Sequence, residues 1–209
     1  MKIITISREF GSGGRELGRR LAEIFGWDYY DKQIITSIAS NQGMDENDVT
    51  NTMEVHGWKN IPLTFHRSFA RYSSYPTRTD LLLEQKRVIE QIGKTQNNCI
   101  IVGRNADVLL QEHEPFNIFV CADLDAKVQR CIERAPEEER LSAREIERKI
   151  RRIDKDRAQV RELITGSRWA VAGDYHLTVN TTTWNIEALS PVVAEFVKSW
   201  YKRNPRESS

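Results

Sequence analysis

The chain opens with IITISREFGSGGRELGRRLAEIF at residues 3–25, and the order of patterns in this stretch points to its fold. An apolar run at residues 3–6 predicts a buried strand, and the apolar spacing that follows predicts a helix. Three glycines, Gly11, Gly13 and Gly14, lie between the two. Glycines allow a close approach of the backbone, so such a turn can present N–H groups and a helix N-terminus to a phosphate. The stretch therefore predicts a phosphate-binding loop, although the usual Gly-Lys-Ser/Thr is missing.

The composition is that of a globular protein without a strong overall charge. The 209 residues are 39% hydrophobic, which is enough for a buried core and favours one domain with an appended segment. Lysine and arginine (31) balance aspartate and glutamate (30), so any anion site has to be local. No apolar stretch approaches the ~18 residues of a membrane span, and the first strand is too short for a secretory signal. We expect a cytoplasmic protein with no nucleic-acid and no membrane partner.

Cysteines and histidines show no pattern that points to a metal or a disulfide. The three cysteines, Cys99, Cys121 and Cys131, lie in or beside apolar segments, and their odd number and wide spacing favour reduced core thiols. The four histidines have no spacing typical of a metal site or of nucleophilic catalysis, and surface or packing roles are favoured for them. We therefore predict no metal site made of these side chains.

Strands alternate with helices along the rest of the chain. Residues 27–30 predict a short aromatic strand, and apolar runs predict buried strands at residues 99–102, 116–121 and 176–179. Helical patterns cover residues 16–25, 80–96, 124–134 and 185–202. The apolar face predicted for the last helix consists of Trp184, Ile186, Leu189, Val192, Val193, Phe196 and Trp200. Asp31 predicts the start of a helix over residues 32–40, and the irregular composition of residues 41–77 predicts an insertion.

Buried strands that alternate with helices predict an α/β fold with a parallel sheet covered on both faces. Ligands of such folds bind at the carboxyl ends of the strands. Four segments directly follow predicted strands, namely residues 7–14, Asp31, residues 103–105 and Asp123. We expect these segments to lie at one edge of the sheet and to form a site.

Several of these residues resemble bacterial cytidylate kinase in order and approximate spacing. They are residues 4–6, the glycine turn with Leu17, Trp27, residues 30–31, Gly103-Arg104, Phe119, Ala122 and residues 180–187. Residues 7–15 and residues 165–169 (TGSRW) are similar, more closely, to the cytidylate kinase-like branch of that family. The resemblance covers nearly the whole chain apart from residues 41–77.

This resemblance implies an α/β P-loop kinase with a five-stranded parallel sheet flanked by helices, a mostly helical insert and an arginine-rich helical lid. The expected single nucleoside monophosphate kinase-like domain has its core at residues 1–40, 78–135 and 170–204, its insert at 41–77 and its lid at 136–169. The resemblance also implies ATP-dependent phosphoryl transfer with Mg²⁺ to a small acceptor, and it favours a nucleoside monophosphate. It does not assign the acceptor, because the base-recognising insert falls where the match fails.

Two other functions stay open at this point. The chain could be a non-catalytic nucleotide-binding protein that has lost the P-loop lysine. It could also be a nucleic-acid or protein interaction module that uses the arginine-rich lid, although a net charge of only +1 speaks against nucleic acid.

The loop departs from the family pattern at three positions. The first loop glycine of the family falls on Arg8, the phosphate-binding lysine on Gly14, and the threonine that would contact Mg²⁺ on Glu16. Arg15 and Arg8 are the predicted substitutes for the lysine, against the alternative of solvent-facing arginines paired with glutamates. Glu16 could reach Mg²⁺ or could simply favour the helix N-terminus by its charge. The residues predicted to bind the nucleotide cofactor are Arg8, Gly11, Ser12, Gly13, Gly14, Arg15, Glu16 and Arg130.

The acceptor side keeps more of the family pattern. Arg104 falls on the arginine of the family's Gly-Arg-Asp, which resembles a monophosphate ligand, while the aspartate after it has become Asn105. The residues predicted to bind the acceptor substrate are Asp31, Arg78, Arg104 and Asn105. For Arg78 a capping or surface role is an equal alternative.

The predicted lid carries two arginines one helical turn apart, Arg157 and Arg161, which therefore share a face. By resemblance they would close over the bridging phosphates, neutralise charge in the transition state and exclude water. With Arg15 they are the predicted catalytic residues. The alternative for the preceding run, residues 144–155, is a solvated helix with pairs of opposite charge.

Overall fold

A computed structural model describes residues 1–31, 78–135 and 141–203, with the side chains of residues 78–81 excluded. The predicted helix at 32–40 and the predicted insert at 41–77 lie outside these residues. The chain divides into two compact units, Met1–Tyr30 with Asn97–Ser209 and Asp31–Gln96, and each is described by itself. The single-domain organisation stays a prediction.

The first unit is built on a five-stranded parallel sheet in the order β2-β3-β1-β4-β5. Its strands are β1 Ile3–Arg8, β2 Asp28–Tyr30, β3 Cys99–Val102, β4 Phe116–Cys121 and β5 Leu177–Asn180. β1 lies at the centre, with Ile6 opposite Val102 of β3 on one side and Arg8 opposite Val120 of β4 on the other. This sheet confirms the predicted fold class, because every strand that sequence patterning placed in it is present and parallel.

Helices connect the strands, and the predicted helices at 16–25, 80–96, 124–134 and 185–202 agree with the observed ones to within about two residues. In the first unit they are α1 Gly14–Phe25, α3 Ala106–Leu109, α4 Leu124–Arg134, α5 Ala143–Thr165 and α6 Ile186–Arg203. The second unit contains α2 Arg78–Lys94. Two short 3₁₀ segments, Gln111–His113 and Ala172–Asp174, precede β4 and β5. No helix in the described part of the chain is long and apolar enough to cross a membrane.

The core of the first unit lies between the sheet and the pair α1 and α6, which pack against each other. Gly18 of α1 brings that helix close to the sheet, because a Cβ added there would lie 2.6 Å from Cγ2 of Val102. At the other end of the core, the Tyr201 hydroxyl of α6 donates a buried hydrogen bond of 2.8 Å to the Ile3 carbonyl. These contacts hold α1, and therefore the loop that precedes it, in a fixed place above β1.

The apolar face of α6 differs from the predicted one. Val192 and Phe196 are 59% and 48% exposed, and Trp184, just before the helix, is 48% exposed. The side chains that α6 buries are Ile186, Leu189, Ser190, Val193, Ala194, Val197 and Tyr201. The prediction was wrong for Trp184, Val192 and Phe196. Apolar side chains occur around most of this helix, so periodicity alone does not select its buried side.

Cysteines and His176 have packing roles in the described structure. All three cysteines are free thiols, and burial raises the pKa of Cys99 to about 12. The His176 ring stacks on Phe116 with 5.3 Å between the ring centroids, and its Nδ1 accepts a hydrogen bond from the Asn117 N–H. Burial lowers the pKa of His176, so its neutral form is favoured in this position.

Two adjacent valines of α6 test which face of the helix is buried. We expect Val193→Ala to lower the free energy of unfolding by about 1–3 kcal/mol, because Val193 is only 4% exposed and the substitution leaves a cavity. Val192→Ala, the matched control, is expected to change stability by less than about 0.5 kcal/mol. Urea unfolding followed by circular dichroism measures both, and equal losses for the two variants would contradict the observed face.

Candidate active site

The loop between β1 and α1 has its carbonyl groups turned toward the protein. The Glu9 carbonyl accepts a hydrogen bond of 2.9 Å from the Ser12 hydroxyl. Arg130 Nη1 donates to the Gly11 carbonyl at 2.9 Å, and the Thr181 hydroxyl donates to the Ser12 carbonyl at 2.7 Å. With these oxygens already bonded inside the protein, the loop carries little negative potential on its outer side, which suits an anion.

The N-terminus of α1 completes the loop. Gly13 is the N-cap at φ 83°, where no side chain caps the helix, and a Cβ there would lie 2.6 Å from Cδ1 of Ile186. The first backbone hydrogen bond of α1 runs from the Leu17 N–H to the Gly13 carbonyl at 2.9 Å. The N–H groups of residues 14–16 therefore have no acceptor within the helix, and their direction and the helix dipole favour a phosphate.

Arg130 of α4, which the resemblance assigns to the nucleotide, lies beside this loop, and its binding role stays a prediction. Its second nitrogen, Nη2, donates to the Thr181 carbonyl at 3.1 Å, so one guanidinium joins the loop to the chain after β5. Burial, and after it the charge of Arg134, lowers the pKa of Arg130. A Cβ added to Gly13 would lie 3.8 Å from Arg130 Cζ, so the charge of Arg130 lies next to the loop.

Glu9 and Lys127 form a second support of the loop that sequence reasoning missed. Glu9 Oε2 accepts a hydrogen bond of 3.1 Å from the Ala122 N–H and one of 3.0 Å from Lys127 Nζ. The side chain of Lys127 is 10% exposed, so this pair is largely withdrawn from water. The two charged residues are 118 positions apart, and nothing local in the sequence connects them.

Glu16 is engaged by arginines. It pairs with Arg20 at 2.9 Å within α1 and with Arg134 at the end of α4. Partial burial works to raise the pKa of Glu16, but the hydrogen bonds and charges of Arg20 and Arg134 together outweigh it and lower that pKa. A carboxylate held in this way does not fit as a direct ligand of Mg²⁺. Among the described residues, no group of three or more His, Cys, Asp and Glu could hold a metal ion.

Arg8 and Arg15, the predicted substitutes for lysine, lie in different surroundings. The stem of Arg8 lies against Gly14, and its guanidinium lies against Gly103 at the end of β3. Arg15 is exposed in the first turn of α1, and its carbonyl accepts a hydrogen bond of 3.3 Å from the Tyr29 hydroxyl. The Arg8 side chain therefore reaches from the loop to the end of β3, the strand beside β1.

The predicted acceptor segment forms an unusual turn between β3 and α3. Gly103, Arg104 and Asn105 have φ angles of 83°, 62° and 54°, so three successive residues are in the left-handed region. The Gly103 N–H donates to the Ile6 carbonyl of β1 at 2.9 Å, which ties the turn to the strand that begins the loop. Two non-glycine residues in this conformation cost about 1–3 kcal/mol each, and such strain concentrates at functional sites.

The other two predicted acceptor residues belong to the second unit. Asp31 directly follows β2 and is 2% exposed, and Arg78 is the first residue of α2, with its side chain outside the described residues. Their predicted roles stay predictions.

The helix predicted as a lid, α5, contacts the backbone of the loop. Asp154 Oδ1 accepts a hydrogen bond of 2.8 Å from the Phe10 N–H, and Arg157 Nη1 donates to the Arg8 carbonyl at 2.8 Å. Arg157 also pairs with Asp154 at 3.0 Å and lies over the Phe10 ring. Burial raises the pKa of Asp154 and lowers that of Arg157, as expected when a pair is partly removed from water.

Arg161, one turn further along α5, forms a buried ion pair with Asp107 of α3. The distance between Arg161 Nη1 and Asp107 Oδ2 is 2.5 Å, and each side chain is 3% exposed. Arg161 Nε donates to the Ser167 hydroxyl at 2.9 Å. These contacts favour a positioning role for Arg161, and the predicted catalytic roles of Arg157 and Arg161 stay predictions.

The order of the parallel strands and the glycine-rich loop between β1 and α1 define a P-loop kinase fold. The chain belongs to the cytidylate kinase-like family, which it matches over residues 3–183. No curated protein matches the sequence.

Solved structures agree with this fold. A protein from Eubacterium ventriosum that is described as uncharacterized is 20% identical, with a TM-score of 0.70, and the match covers 95% of this chain and 99% of that one. Shikimate kinase from Acinetobacter baumannii in complex with shikimate is 14% identical, with a TM-score of 0.53 and coverage of 99% and 96%. Shikimate kinase from Bacteroides thetaiotaomicron is 12% identical, with a TM-score of 0.55 and coverage of 94% and 98%. At these low sequence identities, the similarity to the solved structures shows a shared fold and nothing about substrates.

The buried pair between Arg161 and Asp107 gives a prediction for stability. Arg161→Met leaves the Asp107 carboxylate buried without an opposite charge, so we expect the free energy of unfolding to fall by about 3–5 kcal/mol in urea titrations. Arg161→Met combined with Asp107→Leu should recover most of this loss. Arg151→Met, which breaks the exposed pair with Glu147 at 2.8 Å, is the control and should cost less than about 1 kcal/mol. A fully stable Arg161→Met variant would contradict the observed burial.

Glu16 gives a prediction for pH dependence. Because its pKa is lower in the folded chain than the ordinary value of 4.5, the ionised carboxylate stabilises the fold above that pH. This contribution is lost as the pH falls through the folded pKa. We expect Glu16→Gln to cost about 1 kcal/mol at neutral pH and progressively less below pH ~4. Urea titrations across this range measure the difference, with Glu23→Gln on the exposed side of α1 as the control. A difference that does not shrink in acid would refute the assignment.

Proposed function

We propose that this protein transfers the γ-phosphoryl group of ATP to a small acceptor, and that the acceptor is a nucleoside monophosphate. Membership of the cytidylate kinase-like family supports a kinase-type phosphoryl transfer. The choice of ATP as donor and of a monophosphate as acceptor rests on the resemblance together with the arrangement of the charged residues.

One observation carries the proposal, namely the way in which the loop is held open for an anion. The carbonyls of Gly11 and Ser12 are bonded to Arg130 and Thr181, while the N–H groups at the start of α1 have no acceptor within that helix. Such an arrangement can bind the β- and γ-phosphates through backbone donors even where the lysine is absent.

The acceptor side is the turn of residues 103–105. Its strained left-handed backbone follows β3, the strand next to β1, so that Arg104 extends from the same edge of the sheet as the loop. An arginine there can give two directed N–H donors to the phosphate of a monophosphate. The acceptor oxygen would then approach the γ-phosphorus from the side opposite to the leaving ADP, as phosphoryl transfer requires.

Mg²⁺ accompanies ATP in reactions of this class and neutralises charge on the phosphates. Glu16 does not fit as its ligand, because Arg20 and Arg134 hold both carboxylate oxygens. We therefore assign no step to a protein-bound Mg²⁺.

A second candidate function is nucleotide binding without catalysis. The pairing of Glu16 with two arginines favours it, since the family's hydroxyl for Mg²⁺ is replaced by a group that is already engaged. The two candidates differ in turnover. Incubation of the protein with γ-labelled ATP, saturating Mg²⁺ and a panel of nucleoside monophosphates should give a labelled diphosphate. Binding of ATP with no transfer to any acceptor would overturn the kinase proposal and support the second candidate.

Arg104 provides the matching test of the acceptor side. We expect Arg104→Ala to raise the KM for the monophosphate by about 10–100-fold, because a charge-assisted pair of hydrogen bonds is lost. The KM for ATP should change by less than about 3-fold. Steady-state kinetics with either substrate varied gives both values. Lys198→Ala on α6 serves as the control, and an unchanged KM for the monophosphate would remove Arg104 from the acceptor site.

A further inference from the structure

We propose that Arg8 is the cation that replaces the P-loop lysine and that it contacts the γ-phosphoryl group in transit between donor and acceptor. The proposal rests on the proposed function and adds a named catalytic residue to it. In the usual motif a glycine is followed six positions later by the lysine. Here the two kinds of residue have exchanged places, with arginine at position 8 and glycine at position 14.

The first support is the contact between the two exchanged residues. A Cβ added to Gly14 would lie 2.6 Å from Cβ and 3.1 Å from Cγ of Arg8. Real Cβ atoms do not approach that closely, so the stem of Arg8 occupies the space into which a side chain at position 14 would have to start. The absence of a side chain at Gly14 is therefore a condition for the path of Arg8.

The second support is the place where the Arg8 side chain ends. A Cβ added to Gly103 would lie 1.8 Å from Nη1 and 2.8 Å from Cζ of Arg8. The guanidinium thus lies against the first residue of the left-handed turn that carries Arg104. It spans the distance between the N-terminus of α1, where the donor phosphates would bind, and the turn that we assign to the acceptor.

The third support is that the origin of this side chain is held firmly. Arg8 is the last residue of β1 and lies opposite Val120 of β4. Its carbonyl accepts the hydrogen bond from Arg157, and the N–H of Phe10 two positions later is bound by Asp154. A guanidinium on a fixed stem loses less side-chain entropy when it binds a phosphate, and it stays aligned during the reaction.

These positions define the role of Arg8 in the transfer. An electron pair of an acceptor phosphate oxygen forms the new bond to the γ-phosphorus. The bond between that phosphorus and the β,γ-bridging oxygen breaks, and its electron pair leaves with ADP. A phosphate monoester is largely ionised at neutral pH, so the acceptor oxygen has no proton to lose. Arg8 would donate two N–H groups to the oxygens of the moving phosphoryl group and neutralise their charge.

Arg15 is the competing candidate for the replacement of the lysine. Two variants that each remove one charge, Arg8→Met and Arg15→Ala, distinguish the two arginines. Arg8→Met keeps an apolar stem against Gly14 and removes the charge. We expect it to lower kcat by about 10²–10³-fold, with Arg15→Ala affecting kcat by less than about 10-fold. Arg19→Ala, on the exposed side of α1, is the control and should leave the rate unchanged. Thermal melting of each variant checks that it is folded.

Binding measurements give a readout that does not depend on turnover. Calorimetry compares a non-hydrolysable ATP analogue with ADP for the parent and for Arg8→Met. Because the proposed contact is made to the γ-phosphoryl group, the analogue should bind about 10-fold or more weaker in the variant, while ADP should bind within about 2-fold of the parent. Equal weakening of both ligands, or a γ-specific loss in Arg15→Ala instead, would overturn the proposal.

Restoring the usual order of residues provides the sharpest test. Gly14→Lys alone should be inactive, because its side chain would meet Arg8. Arg8→Gly combined with Gly14→Lys should regain at least about 10-fold in kcat over Arg8→Met, since lysine then supplies the charge. A double variant no better than Arg8→Met would contradict the exchange. If the parent itself transfers nothing, the kinase proposal fails, while the difference between the ATP analogue and ADP still decides the role of Arg8.

Discussion

One guanidinium, that of Arg130, holds the two chain segments on which the candidate site depends. It donates to the Gly11 carbonyl in the loop and to the Thr181 carbonyl after β5, and the Thr181 hydroxyl bonds the neighbouring Ser12 carbonyl in turn. The carbonyl oxygens that would repel an anion are thereby turned inward. The cost is the partial burial of a charge, which is visible in the lowered pKa of Arg130.

The long helix α5 then links the loop to the turn at the end of β3. Asp154 and Arg157 bond the loop backbone, and Arg161, one turn later, is buried against Asp107 in the helix that follows the turn. A buried ion pair adds little net stability over apolar packing, but it allows few alternative positions for the two elements that it joins. The loop and the turn therefore contact the same helix, and the Arg8 side chain lies between them. The sequence alternative of a solvated helix for residues 144–155 does not hold for Asp154, which bonds the loop backbone.

Much of the fold could be predicted because the patterns that specify it are local. The buried strands β3 and β4 are apolar runs, and three closely spaced glycines predict the loop. Prediction failed on α6 because apolar residues occur on most sides of this helix. Its packing against α1 and the core buries Val193 and leaves Val192 exposed. It also missed the pair of Glu9 and Lys127, because no periodicity relates residues 118 positions apart.

Local patterns were thus sufficient to predict strands, helices and a glycine-rich phosphate loop, since spacing and hydrophobic periodicity act over a few residues. The family was indicated by the resemblance of several short motifs to cytidylate kinase, and the match over residues 3–183 shows it. The arginines that it predicted as phosphate ligands keep that role only as a prediction. Those local patterns did not predict which residue each arginine contacts. Arg8 meets Gly103, Arg130 meets Thr181 and Arg161 meets Asp107 because the sheet order brings the carboxyl ends of distant strands together. In the folded chain, Arg8 therefore lies between the loop and the turn, Arg130 bonds backbone carbonyls and Arg161 is buried in an ion pair. In the sequence, all three were predicted as phosphate ligands.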